Sequence, residues 1–217
     1  MCRNASNITE TYDHCIARLR SWTISCNETH TLCRKSFERE SPLPTRVLDL
    51  RPEREGDSND LRLVVTGNHS ARYMTLSHCW GEFQPLLTTS ANIKQREKNI
   101  AFNDLPRTFQ EAVVVTRELG IRYLWIDCLC IIQGDKEDWD LESGRMADVY
   151  SNSYMNIAAT KAKDCHGGLF KSWGIRREKR LRAKTNSGAT VFSRKTERDC
   201  EDIMQSFRPA RQRLVSS

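Results

Sequence analysis

No run of apolar residues in this 217-residue chain approaches the roughly 18–20 that a membrane-spanning helix needs, which excludes a helical membrane protein. Glycines are few and scattered, ten in all, and no phosphate-cradling loop is formed. A P-loop, a dinucleotide-binding fingerprint and a nucleophile elbow are all missing, and Gly81 has no glycine-rich turn around it. The opening MCRNASNITETYDHC lacks the basic stretch and apolar core of a secretory leader. The expected compartment is therefore the cytoplasm, and the N-x-[ST] sequons at Asn4, Asn7, Asn27 and Asn68 are expected to be coincidental. Nine cysteines, an odd number, then point to buried thiols, a metal site or redox chemistry ahead of a disulfide framework.

Charge is unevenly distributed. The net charge is +6, but residues 171–217 hold 13 Lys and Arg against 5 Asp and Glu. The other 170 residues carry 21 basic and 23 acidic groups. The basic tail has no aromatic interleaving and no nucleic-acid motif, so a solvated or disordered segment is expected there rather than a nucleic-acid surface.

Three regions follow: 1–70, with a helix, a Cys/His segment and linker strands; 71–170, the main body; and the basic tail 171–217, expected to be disordered or truncated. Ile8, Tyr12, Cys15, Ile16, Leu19 and Trp22 recur at helical intervals, with Arg18 and Arg20 turned away. Short strands are expected at Arg46–Leu50 and over LRLVVT, as a hairpin or edge pair. The main body reads strand, helix, strand, helix, strand, the pattern of βαβ units on a parallel sheet. Its first strand ends in LSHCWG. Thr108 and Glu111 fit a capping box for the next helix, and Gly120 fits its C-terminal cap. YLWIDCLCII is apolar on both faces, as in a strand covered on both sides, and carries Asp127 within it. A helix from about Asp135 to Tyr150 and the strand YMNIAAT complete the body. The fold class is α/β.

In open parallel sheets ligands gather beyond the carboxyl ends of the strands. Those ends supply Ser77, His78 and Trp80 after the first strand, and Asp127 and Gln133 after the second. On the next helix Glu142 shares an apolar stripe with Trp139, Met146 and Tyr150, where a carboxylate is costly unless protonated or paired, for instance with Arg107, Arg117 or Arg122. Asp127 and Glu142 are the candidate catalytic groups, and Ser77, His78, Trp80, Gln133 and Trp139 the candidate ligand-binding ones. Each also has a plain structural reading, from loop capping to core packing. Cys128 and Cys130, on one face of a strand, read as small apolar filling. For zinc, Cys26, His30 and Cys33 have C-x3-H-x2-C spacing, with His78 or Cys79 as a fourth ligand through space.

Y-x-T-L-S-H-C-W-G at 73–81, L-P-R-T-F-Q-E-A at 105–112, L-G-I-R-Y-L-W-I-D-C-L-C-I-I-Q at 119–133, D-W-x-x-E from 138 and M-A-D-V-Y-S-N-S ending at 153 stand in this order. With the G-L-F ending at Phe170, they resemble the fungal heterokaryon incompatibility domain over about Tyr73 to Phe170. W-x-x-x-C-x-x-x-H-x-x-C at 22–33 and L-P-T-R-V at 43–47 are similar to the region that often precedes that domain. The W-x-x-Q-E segment that usually follows G-L-F is missing from 171–217.

The resemblance implies a non-self recognition module that triggers programmed cell death when hyphae fuse, acting through protein partners or self-association. It also implies a small TIR-like, flavodoxin-like sheet with flanking helices. Some TIR domains hydrolyse NAD with a helix glutamate near a tryptophan, and on that analogy Glu142, three residues after Trp139, is the position implied for a nucleotide hydrolase with NAD as substrate.

Overall fold

The computed structural model describes residues 5–31, 40–50, 59–67, 69–82 and 86–170, plus three two-residue strands in the tail. Strand β1 (Ser41–Pro42) pairs with β4 (Ser70–Ala71) apart from the main sheet. The sheet itself holds β2 (Arg46–Asp49), β3 (Arg62–Val65), β5 (Tyr73–Ser77), β6 (Tyr123–Ile126) and β7 (Met155–Ala158) in the order β7-β5-β6-β2-β3. In the tail, β8 (Ala183–Lys184) pairs with β9 (Thr190–Val191), and β10 (Phe207–Arg208) adds antiparallel to β7 at the sheet edge. The expectation of disorder in the tail otherwise falls outside the described residues.

β5, β6 and β7 are parallel, with β5 in the middle. The sheet is nevertheless mixed rather than parallel, because β2 joins β6 antiparallel and β3 joins β2 antiparallel. The expected hairpin or edge pair is thus built into the main sheet. β2 is buried at all four positions, and it carries a charge at each end, Arg46 and Asp49. Asp49 is held by Arg122, whose Nε and NH2 donate to its two oxygens at 2.8 Å each.

The remaining helices are α1 (Ala5–Thr29), α2 (Ile93–Lys98), α3 (Arg107–Glu118), the single turn α4 (Asp127–Cys130) and α5 (Lys136–Asn152). α3 and α5 cover opposite faces of the sheet, since neighbouring strand residues point to opposite sides. On one face the Tyr73 hydroxyl donates to the Val149 carbonyl of α5 at 2.7 Å, and Trp125 meets Tyr150 edge to face. On the other, the His78 ring meets Phe109 of α3 edge to face at 4.9 Å. Met74, Leu76, Leu124, Ile126 and Ile157 are fully buried. α1 runs longer than its apolar spacing predicts and buries Cys15, Ile16 and Leu19, while Arg18 is exposed. Arg20 donates from Nε and NH2 to the Glu118 carbonyl at the end of α3, satisfying one of the orphan acceptors there.

The end of α3 follows expectation. Gly120 takes φ +75°, its amide donates to the Arg117 carbonyl, and the Ile121 amide donates to Thr116, a Schellman closure that a left-handed glycine permits. Its start does not. Pro106 occupies the N-cap, and the expected Thr108–Glu111 capping box is not formed. Both side chains bond the chain that follows β7 instead. The Thr108 hydroxyl accepts the Gly168 amide at 3.0 Å, and one Glu111 oxygen accepts the Leu169 and Phe170 amides. Gly168 sits at φ +76°, where a Cβ would come within 2.9 Å of the Arg107 Nε and 3.0 Å of Glu111 Oε2. The first turn of α3 is therefore a clasp for the G-L-F segment. Glu111→Ala should destabilise the fold by about 1–3 kcal/mol through two orphaned amides. Chemical denaturation should show it, with Gln110→Ala, which loses only one bond to the Phe102 carbonyl, as the milder comparison.

Candidate functional site

Asp127 is not inside a strand. β6 stops at Ile126, and the chain turns into α4, with Asp127 Oδ1 accepting the Cys128 amide at 2.7 Å and the Ile131 amide returning to the Asp127 carbonyl. The same departure overturns the expectation that Cys128 and Cys130 share one face of a strand, because both lie on the helical turn, where both are buried. Thr88 pins this turn from outside. Its amide donates to the Cys128 carbonyl, its hydroxyl to the Leu129 carbonyl, and its own carbonyl accepts the Gln133 amide at 2.7 Å.

The other carboxylate oxygen of Asp127 accepts the indole N–H of Trp80 at 3.1 Å. A carboxylate at a strand end thus fixes an aromatic side chain from the neighbouring strand end. The loop bearing Trp80 must pass close to residues 163–164, and Gly81 permits it: φ is +68°, and a Cβ would meet the Asp164 Cβ at 2.6 Å. Ser77, the last residue of β5, accepts the Ala159 amide through its backbone carbonyl.

A second knot lies beside the first. Arg46, 8% exposed at its side chain, donates from Nε to the Cys130 carbonyl at 2.7 Å and from NH2 to both Asp138 oxygens at 2.6 Å. Asp138 also accepts the Ile132 amide, and its own amide is capped by Asp135 at the start of α5. Glu142, one turn further on, is 2% exposed. It accepts the Thr45 hydroxyl at 2.6 Å, with Arg145 3.9 Å away. Its partners are thus not Arg107, Arg117 or Arg122. Arg107 bonds Glu111, Arg117 the Leu50 and Asn59 carbonyls, and Arg122 Asp49.

Between these knots opens a cleft of about 420 Å³, lined by Trp80, Gln133, Gly134, Asp135, Lys136 and Trp139. Trp139 is 42% exposed, so it leaves the apolar stripe and forms a wall. The cleft gathers Trp80, Gln133 and Trp139 as the sequence suggested, while Glu142 is not part of its lining. The arrangement offers two indole side chains, an amide, the Asp135 carboxylate that caps α5 and the Lys136 ammonium that pairs with Asp140, a set suited to holding a flat or extended apolar group with a polar end.

His78 lies under the loop that bears Trp80. Its side chain is fully buried, its Nδ1 is 3.7 Å from Asp127 Oδ1, and neither ring nitrogen has a hydrogen-bond partner. Burial lowers its pKa below the ordinary histidine value, with Asp127 pulling the other way. Burial likewise raises the Cys128 thiol well above its ordinary range and pushes Cys130 up to about 12, so both are held as thiols.

Of the N-terminal zinc candidates, Cys26 Sγ and His30 Nδ1 are 3.4 Å apart on successive turns, and Cys33 falls outside the described residues. His78 is not placed to be their fourth ligand. Asn27 bonds the Tyr154 side chain, and the Tyr154 amide meets Tyr73 at the start of β5. His78 follows the opposite end of that five-residue strand, roughly 16 Å away. The Cys26 end of α1 thus lies near the opposite end of the strands.

A family model described as Heterokaryon incompatibility protein (HET) matches residues 73–214. The chain belongs to this family. No curated protein and no solved structure matches it. The heterokaryon incompatibility match begins at the first residue of β5 and continues beyond Phe170 into the basic tail. Each knot just described therefore includes a residue from inside the matched region, Asp127 in one and Asp138 in the other, while Arg46 and Thr45 lie before it. Those two were missed by sequence reasoning. The available signal was an arginine opening a four-residue strand whose other end carries an aspartate, a pattern that asks where each buried charge finds its partner. Arg46→Met should lower stability by about 1–3 kcal/mol, since it leaves the part-buried Asp138 without its cation and the Cys130 carbonyl without its donor. Arg46→Met with Asp138→Asn should recover part of that loss in the same denaturant titration.

Proposed function

We propose that this heterokaryon incompatibility protein is a non-self recognition module that triggers programmed cell death in fungal cells through protein–protein contacts, working in the cytoplasm. One observation carries the reading. The helix that closes the cleft leaves two large apolar groups exposed, Trp139 at 42% and Leu141 at 50%, and keeps Glu142 inside. Exposed indole and leucine at a rim are recognition chemistry, whereas a general acid or base must reach a substrate.

A second reading is a TIR-like, flavodoxin-like domain that hydrolyses NAD or a related nucleotide, with Glu142 as the key carboxylate. What favours it is the aromatic cleft beyond the carboxyl ends of parallel strands, where the switch from β6 to β7 across β5 places a ligand site in doubly wound sheets. Against it stands the burial of Glu142 and its engagement by Thr45.

The two readings separate on one pair of variants. Leu141→Ala alters a half-exposed side chain outside the cleft lining and should weaken growth arrest when the full chain is expressed in a fungal host. Glu142→Gln keeps an acceptor for Thr45 and should leave the arrest intact. NAD turnover by purified wild-type protein, lost in well-folded Glu142→Gln, would overturn the contact reading in favour of the hydrolase.

A further inference from the structure

We propose that His78, Asp127 and Cys128 form a binding site for a thiophilic divalent cation, zinc by preference, at the joined ends of β5 and β6. A ring nitrogen of His78, a carboxylate oxygen of Asp127 and Sγ of Cys128 all lie within 4.8 Å of one another. Two ligands on one tetrahedral zinc ion stand roughly 3.3–3.6 Å apart, given bond lengths near 2.0–2.3 Å. The His78–Asp127 separation of 3.7 Å is already close to that value. The remaining adjustment is within reach of small side-chain rotations.

The second, independent observation is the state of His78. A fully buried imidazole with neither nitrogen hydrogen-bonded is a costly arrangement unless something else takes the lone pair. A cation does so, and it accounts for a histidine, a carboxylate and a thiol converging from two strand ends. The supporting shell is in place. The Trp80 indole holds one Asp127 oxygen, the Cys128 amide holds the other, and Phe109 packs against the imidazole edge.

The same three residue types could suggest a cysteine nucleophile with a histidine base. Burial decides between the two roles. Cys128 is 0% exposed and offers no approach to a substrate, whereas a metal ligand needs only a path for an ion. Asp127, 19% exposed at its side chain, marks that path. Nitrogen, oxygen and sulfur together suit zinc better than calcium or magnesium, which prefer all-oxygen shells. Binding displaces the Cys128 thiol proton to solvent. With neutral His78, thiolate and carboxylate, the three ligands balance a dication. This site is separate from the Cys26–His30 pair, which lies toward the opposite end of the strands.

The test uses the full chain, stripped with a chelator and titrated with Co²⁺, then with Zn²⁺. Wild type should bind one equivalent of Co²⁺ with a thiolate-to-cobalt charge-transfer band, and Zn²⁺ should displace it. Cys128→Ser should lose the band, and His78→Gln and Asp127→Asn should each weaken binding at least tenfold. Cys26→Ser should keep the band. Circular dichroism of each metal-free variant reports its folding, and Asp127→Asn, which keeps an acceptor for the Trp80 indole, preserves the test should Cys128→Ser not fold. No cobalt uptake by wild type, a band that survives in Cys128→Ser, or one lost in Cys26→Ser would overturn the proposal.

Discussion

The pair of buried Arg46 and part-buried Asp138 is the interaction on which the functional edge depends. Arg46 belongs to an antiparallel strand, Asp138 to the first turn of α5, and between them they hold the Cys130 carbonyl and the Ile132 amide. One ion pair therefore fixes the sheet, the turn after β6 and the start of the helix that supplies Trp139. An isolated buried charge would be costly, and here each charge is met by the other and by backbone dipoles. Asp127 extends the same logic one strand over, through Trp80. The cleft is what remains open between these two fixed points.

Much of the architecture was legible because its signals are local. Apolar spacing placed α1 and α3, Gly120 announced the end of α3, and the double-sided apolar run at Tyr123 announced a buried strand. What was not legible depended on partners far away in sequence. YLWIDCLCII reads as one long strand, yet it breaks at Asp127 because that carboxylate takes the next amide and Thr88 stitches the turn from outside. Thr108 and Glu111 match a capping box, but they serve the G-L-F segment some 60 residues later, since Pro106 already begins the helix. The parallel sheet became mixed for a similar reason: nothing in Arg46–Asp49 states that β2 will join β6.

The site residues divide in the same way. Trp80, Gln133 and Trp139 meet as the strand-end rule anticipates. Glu142 does not join them, because a hydroxyl from Thr45 satisfies it inside the structure. Glu142 is buried, whereas Trp139 and Leu141 on the same helix are exposed. The heterokaryon incompatibility match reaches past the G-L-F clasp, so the basic tail is part of the family's own length.

Amide hydrogen exchange tests the central claim, that the Arg46–Asp138 pair holds the edge, most directly. The Ile132 and Gln133 amides, bonded to Asp138 and Thr88, should exchange as slowly in wild type as amides of β5 and β6. In Arg46→Met they should lose that protection while β5 and β6 keep theirs. Fast exchange at Ile132 in wild type, or unchanged protection in the variant, would contradict the account.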